Sequence, residues 1–171
     1  MNRRWCVVLL VVLAAPALLS AKGLTTKVVM TGPHLTTPIE ITDPDLLRSF
    51  TVWAGPGTGV NGVEQLDGFV ADWRSGAVTE RPAGLQRYEA SFYVKYVNRP
   101  LEGQQDQLAY VIYYESAGSG GQGYVYLPGK ADAWYRLNTR AIYRGREGQW
   151  FRATNEWDRV VKPLVAQAGR R

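Results

Sequence analysis

Two of the 15 acids in this 171-residue chain sit beside apolar residues and are the candidates for hydrolysis of a sugar polymer. Asp72, in "FVADWRSG", lies between Phe69 and Trp73, and Glu115 stands near the end of the apolar run "LAYVIYYES". Two carboxyl groups about 5–9 Å apart suffice to cleave a glycosidic bond, one giving a proton while the other attacks or activates water. If the protein is an enzyme, Asp72 and Glu115 are its expected catalytic residues. The simpler expectation is that each pairs with one of the many arginines.

A second chemistry is written in residues 130–152. Lys130, Arg136, Arg140, Arg144, Arg146 and Arg152 stand there against only Asp132 and Glu147, interleaved with Trp134, Tyr135, Tyr143, Trp150 and Phe151. Guanidinium forks bind anions bidentately and stack on aromatic faces, so the pattern suits an anionic or sugar-like polymer. The expected ligand-binding set is Arg136, Arg140, Arg144, Trp134 and Tyr135. Ordinary strand construction accounts for the same pattern, with aromatics turned into the core and arginines solvated outside.

The glycine-rich stretch "GPGTGVNG" at 55–62 contains G-x-G-x-x-G. A dinucleotide turn also needs a feeding strand, a long helix starting within the turn, and an acid about 20 residues further on. The following "VEQLDGFVADW" is broken by Gly68 and has no helical stripe. A second formal match, "GSGGQG" at 118–123, falls between two β-type runs, and Val63 stands where a phosphate-loop lysine would be. Both stretches are expected to be loops that use glycine for positive φ. His34 is the only histidine, no serine sits in a G-x-S-x-G elbow, and no acidic loop of the calcium-binding hand type occurs. No metal site and no cofactor are expected.

The first residues, "MNRRWCVVLLVVLAAPALLSA", have the form of an export leader: two arginines, an uncharged apolar run, then small residues. Residues 1–21 are therefore expected to be a signal peptide, cleaved after Ala21, and 22–171 a single globular β-rich domain. The run is short of the roughly 20 apolar residues a spanning helix wants, so no stable membrane span is expected after cleavage. Cleavage removes Cys6, the one cysteine, and with it any thiol chemistry. It also lowers the formal charge from +5 to +3, too mild to argue for nucleic acid.

Any site must be positioned mainly by strands. Residues 25–32, 38–42, 87–97, 108–116, 123–128, 133–145 and 149–154 read as β-type runs. In 87–97, Tyr88, Ala90, Phe92, Val94 and Tyr96 alternate with polar residues, as in an antiparallel sheet wetted on one side. Asp43 and Pro44 open a short helix. A terminal helix over 155–168 is expected, with Asn155 as its cap, a kink at Pro163, and Trp157, Val160, Val161, Leu164 and Ala168 on one stripe. The expected fold is α+β, mainly β: an antiparallel meander sheet of six or seven strands with a short early helix and a C-terminal helix packed on it. A β-sandwich is the alternative.

The segments "IEITDPDLLRSFTVWAGPGTG", "GFVADWRSG", "LQRYEASFYV", "GQGYVYLPGK", "WYRLN" and "IYRGREGQWFRA" together resemble a group of small exported bacterial proteins of uncharacterised function. The resemblance implies a secreted single-domain protein and carries no functional residue. The functional expectation is an exported, periplasmic or secreted, non-enzymatic domain that contacts an anionic or glycan polymer, or a protein partner. A carboxylate-dependent hydrolase acting on an envelope polymer is the alternative.

Overall fold

A computed structural model describes residues 23–59, 63–98, 100–117 and 120–169. The expected leader lies outside the described residues, as do Gly62 of the first glycine stretch and Gly118 and Ser119 of the second. Seven strands form one antiparallel sheet in the order β2-β1-β4-β5-β6-β7-β3: β1 (Gly23–Thr31), β2 (Ile39–Ile41), β3 (Ala77–Val78), β4 (Gln86–Tyr96), β5 (Gln107–Ser116), β6 (Tyr124–Tyr126) and β7 (Trp150–Arg152). The sheet is open, and the described residues form no second sheet to make a sandwich. Strands β4 to β7 follow one another as a meander, the β1–β2 hairpin adds to β4, and the two-residue β3 crosses to the far edge beside β7.

The alternation in β4 decides which face is dry. Tyr88, Ala90, Phe92 and Val94 are all buried, as are Val28 and Met30 of β1 and Ile112 and Tyr114 of β5. Against this inner face lies the terminal helix, α3 (Asn155–Ala168). Its Trp157 is fully buried and meets Phe50 edge-on at 5.1 Å, Phe92 at 6.0 Å and Tyr114 at 6.1 Å. The cap is Thr154 rather than Asn155: its hydroxyl accepts from the Trp157 N–H at 3.2 Å. The helix runs on through Pro163, and its inward stripe is Trp157, Val161 and Val165, with Asp158 buried beside it. The early helix, α1 (Pro44–Leu47), is capped by the Asp43 carboxylate as expected.

Residues 133–145 are not a strand. They hold α2 (Tyr135–Ala141), and the reason is Asn138. β6 is only three residues long and leaves β5 at Tyr113, so the Val111 N–H and C=O lack a strand partner. The fully buried Asn138 amide takes both, accepting from Val111 N at 2.8 Å and donating to Val111 O at 2.7 Å. One side chain thus closes the ladder that a strand would have closed. Asn138→Ala leaves both buried backbone groups unpaired, and a loss of about 2 kcal/mol is expected in urea unfolding. A loss within error would show that water serves Val111 equally well.

Candidate functional site

The sequence-predicted ligand set does not share one surface. Arg136 and Arg140 are exposed one turn apart on α2, and neither has an ion-pair partner among the described residues. Tyr135 is half-buried. Trp134, also half-buried, donates its indole N–H to Glu89 Oε2 at 2.7 Å. Arg144 is only 5% exposed. Its Nη2 donates to Val52 O at 2.6 Å, Nη1 to Ala54 O at 2.7 Å and Pro56 O at 3.3 Å, and Nε to the Tyr110 hydroxyl at 3.1 Å. The rings of Phe69, Tyr110 and Trp73 lie 4.8, 5.1 and 5.2 Å from the guanidinium carbon. Burial pushes this guanidinium below its ordinary range, an effect opposed by Tyr110 and Glu147. Arg144 is a clamp on residues 52–56 and cannot also be a surface ligand.

That clamp explains the first glycine stretch. Gly55 has φ +100°, and a Cβ there would lie 2.5 Å from Trp73 Nε1 and 2.8 Å from Arg144 Nη1. At Gly57, φ is +78°, and a Cβ would meet the Tyr143 carbonyl oxygen at 2.2 Å. Both positions need glycine for packing against Arg144 and its neighbours, and among the described residues no helix follows before α2.

The two candidate acids are apart. Glu115 pairs across strands with Tyr124, Tyr124 with Arg152, and the Asp72 N–H donates to the Arg152 carbonyl at 2.9 Å. Three strand spacings, on the order of 14 Å, therefore separate the two backbones. Asp72 caps its own turn through Arg74 N, Ser75 N and the Ser75 hydroxyl. It lines a cleft of about 370 Å³ with Ser49, Asp67 and Glu156, and Asp67 is itself tied to Arg74, which holds its carboxyl below the usual range. His34 is exposed near the β1–β2 turn. Among the described residues, no group of three or more metal-ligating side chains gathers, and no helix is long and apolar enough to cross a membrane.

What the structure does assemble is the outer face of the sheet. Cross-strand partners share a face, so Arg87, Glu115, Tyr124 and Arg152 form one row over β4–β7. Glu89, Tyr113, Tyr126, Trp150 and Val78 form the next. The Glu115 side chain is 5% exposed and bridges two guanidiniums, receiving Arg87 Nε at 2.8 Å and Arg81 Nη1. Arg81 lies over Trp150, its guanidinium carbon 4.0 Å from the ring centre, and that of Arg87 stands 5.4 Å from Tyr113. Tyr113 stacks on Tyr126 at 6.2 Å, and Tyr126 meets Trp150 at 4.8 Å with the rings tilted by 36°. Asp132 accepts from the Tyr126 hydroxyl at 3.0 Å and from Gly129 N at 2.7 Å.

Sequence reasoning named Glu115 but missed Arg81 and Arg87. Arg87 was legible as an outward position of an alternating strand. Arg81 follows the two-residue β3, too short to register as a strand, so its return to the sheet had no signal.

Burial raises the phenols of Tyr88, Tyr110, Tyr113, Tyr114 and Tyr126 above their ordinary value. In the unfolded chain these phenols lose their protons near pH 10, while the folded protein keeps them. Stability should therefore be whole below about pH 10 and fall above it. Near-ultraviolet phenolate absorbance should contain a fraction that rises only as the chain unfolds; a single early transition for all tyrosines would contradict this.

Comparison with protein-family models finds no match to the chain, and neither the curated proteins nor the solved structures give one.

Proposed function

We propose that this protein is an exported, non-enzymatic binding domain that holds an anionic polymer against the outer face of its sheet. One observation carries the reading: Arg81 and Arg87 share the single carboxylate of Glu115, which fixes both over aromatic rings, and Arg152 stands in the same row beyond Tyr124. A guanidinium already held in place loses less rotamer freedom when an anion arrives. Arg152 is exposed and has no ion-pair partner among the described residues, so the row keeps a net positive charge. The separation of Asp72 from Glu115, and the enclosure of Glu115 by its arginines, weigh against a carboxylate-pair hydrolase. Export rests on the composition of residues 1–21 and on the resemblance to small exported bacterial proteins.

Retention on an immobilised polyanion tests this. The Arg87→Gln, Arg152→Gln double variant should elute at clearly lower salt than the parent, because two phosphate- or carboxylate-contacting charges are lost. The Arg136→Gln, Arg140→Gln pair removes as much charge from α2 and should change elution little. A larger loss from the second pair would move the binding surface to α2. Equal elution of all three proteins would remove the polyanion reading.

A further inference from the structure

Resting on the outer face as the binding face, we infer that its polymer is an acidic polysaccharide, with a sugar carboxylate seated on the Arg81–Arg87 pair that Glu115 holds and neighbouring hydroxyls donated to Glu89 and Asp132. The donor count defines the seat. Glu115 takes the Nε–H of Arg87 and one Nη1 hydrogen of Arg81. Both Nη groups of Arg87, and Nε and Nη2 of Arg81, have no hydrogen-bond acceptor among the described residues. A guanidinium carries five donors, so each arginine keeps an edge able to grip a planar carboxylate with two parallel bonds.

The rest of the face selects among anionic polymers. Glu89 uses Oε2 for Trp134, and Asp132 uses Oδ2 for Tyr126 and Gly129. Oε1 of Glu89 and Oδ1 of Asp132 accept nothing from the described residues. Glu89 is the cross-strand partner of Tyr113 and Asp132 is bound to the Tyr126 hydroxyl, which puts both carboxylates at the aromatic row, one row from the cationic one. A polymer with a charge on every unit a few Å apart, such as a phosphate chain or a nucleic acid, would press anions against these oxygens. An acidic glycan instead brings ring hydroxyl donors beside each carboxylate, and these can meet the same oxygens. Of Tyr113, Tyr124, Tyr126 and Trp150, Tyr124 alone has no ring or cation stacked on it among the described residues. It stands half-buried in the row between Glu115 and Arg152, the ring of this face left for a sugar to stack on.

The probes are polygalacturonate and the same polymer fully methyl-esterified, compared by affinity electrophoresis of the full chain. The acid form should bind about tenfold or more tightly than the ester, the worth of one charge-assisted contact. Arg87→Gln should remove that preference, and Tyr124→Ala should weaken both forms. Arg48→Gln, an equal charge change at the C-terminal cap of α1, should alter neither. Glu115→Gln separates positioning from charge: it makes the face more positive, yet it should weaken the acid form because both guanidiniums lose their anchor. Tighter binding by that variant would overturn the seat. Equal binding of acid and ester, with the Tyr124→Ala loss intact, would overturn the acidic ligand while leaving the face as a glycan surface. Polyphosphate or vesicles of anionic lipid binding as tightly as polygalacturonate, and losing it with Arg87→Gln, would overturn the polysaccharide but keep the polyanion reading. No binding of any probe would overturn both.

Discussion

Replacing Arg144 by Met should cost about 3–5 kcal/mol of stability, read as a fall in the urea midpoint at an unchanged slope. The side chain donates into three main-chain carbonyls, those of Val52, Ala54 and Pro56, and into the Tyr110 phenol. Each orphaned buried acceptor costs about 1–3 kcal/mol unless water reaches it. Methionine fills the space beside Phe69, Trp73 and Tyr110 but returns none of those bonds. Arg144→Lys should recover little, since one ammonium on a flexible stem cannot span a planar fork's set of acceptors. Among the described residues the guanidinium has no carboxylate within ion-pair distance, so its charge rests on carbonyl dipoles and ring faces. A midpoint shift equivalent to less than about 1 kcal/mol would mean that the clamp is not what orders residues 52–56.

Asp158→Ala is expected to be of similar size, about 3–5 kcal/mol. This carboxylate is 8% exposed and receives three donors: the Tyr114 hydroxyl at 2.8 Å, Gly123 N at 2.9 Å and Lys162 Nζ at 2.6 Å. Lys162 also reaches the Gly121 carbonyl, so one charge pair ties α3 to the second glycine loop. Alanine leaves the Lys162 ammonium, its side chain 13% exposed, without its counter-charge. Adding Lys162→Met to Asp158→Ala should restore part of the loss, because the uncompensated charge goes with it. Simple additivity of the two substitutions would instead assign the loss to Tyr114 and Gly123. The same packing fixes Gly123: a Cβ there would lie 2.1 Å from Asp158 Oδ1.

The parts of this fold that could be read from the chain are those where apolar and polar residues alternate without interruption. Tyr88, Ala90, Phe92 and Val94 settled both the strand and its dry face, and Trp157 with Val161 did the same for α3. Where a polar residue occupies a core position, the pattern hides the element. Trp134, Asn138, Ala141 and Ile142 have helical spacing, but Asn138 breaks the apolar stripe, and alternating aromatics made the segment look like a strand. Arg144 was hidden for a related reason. Arginine is counted as exposed in any composition-based reading, and no local signal announces that three carbonyls 88 to 92 residues earlier in the chain wait for it. Glu115 was legible as a notable acid on an apolar strand; its two partners come from separate segments, and only the strand register brings Arg87 across from it.

The burial of Trp157 among Phe50, Phe92 and Tyr114 has a bearing on how the polypeptide is made.

 A ribosome delivers that indole only after all seven strands have been synthesised, so earlier intermediates hold three large rings without α3 to close over them. Consolidation must then await release of the final helix, and a shortened product ending before Trp157 should stay open and protease-sensitive.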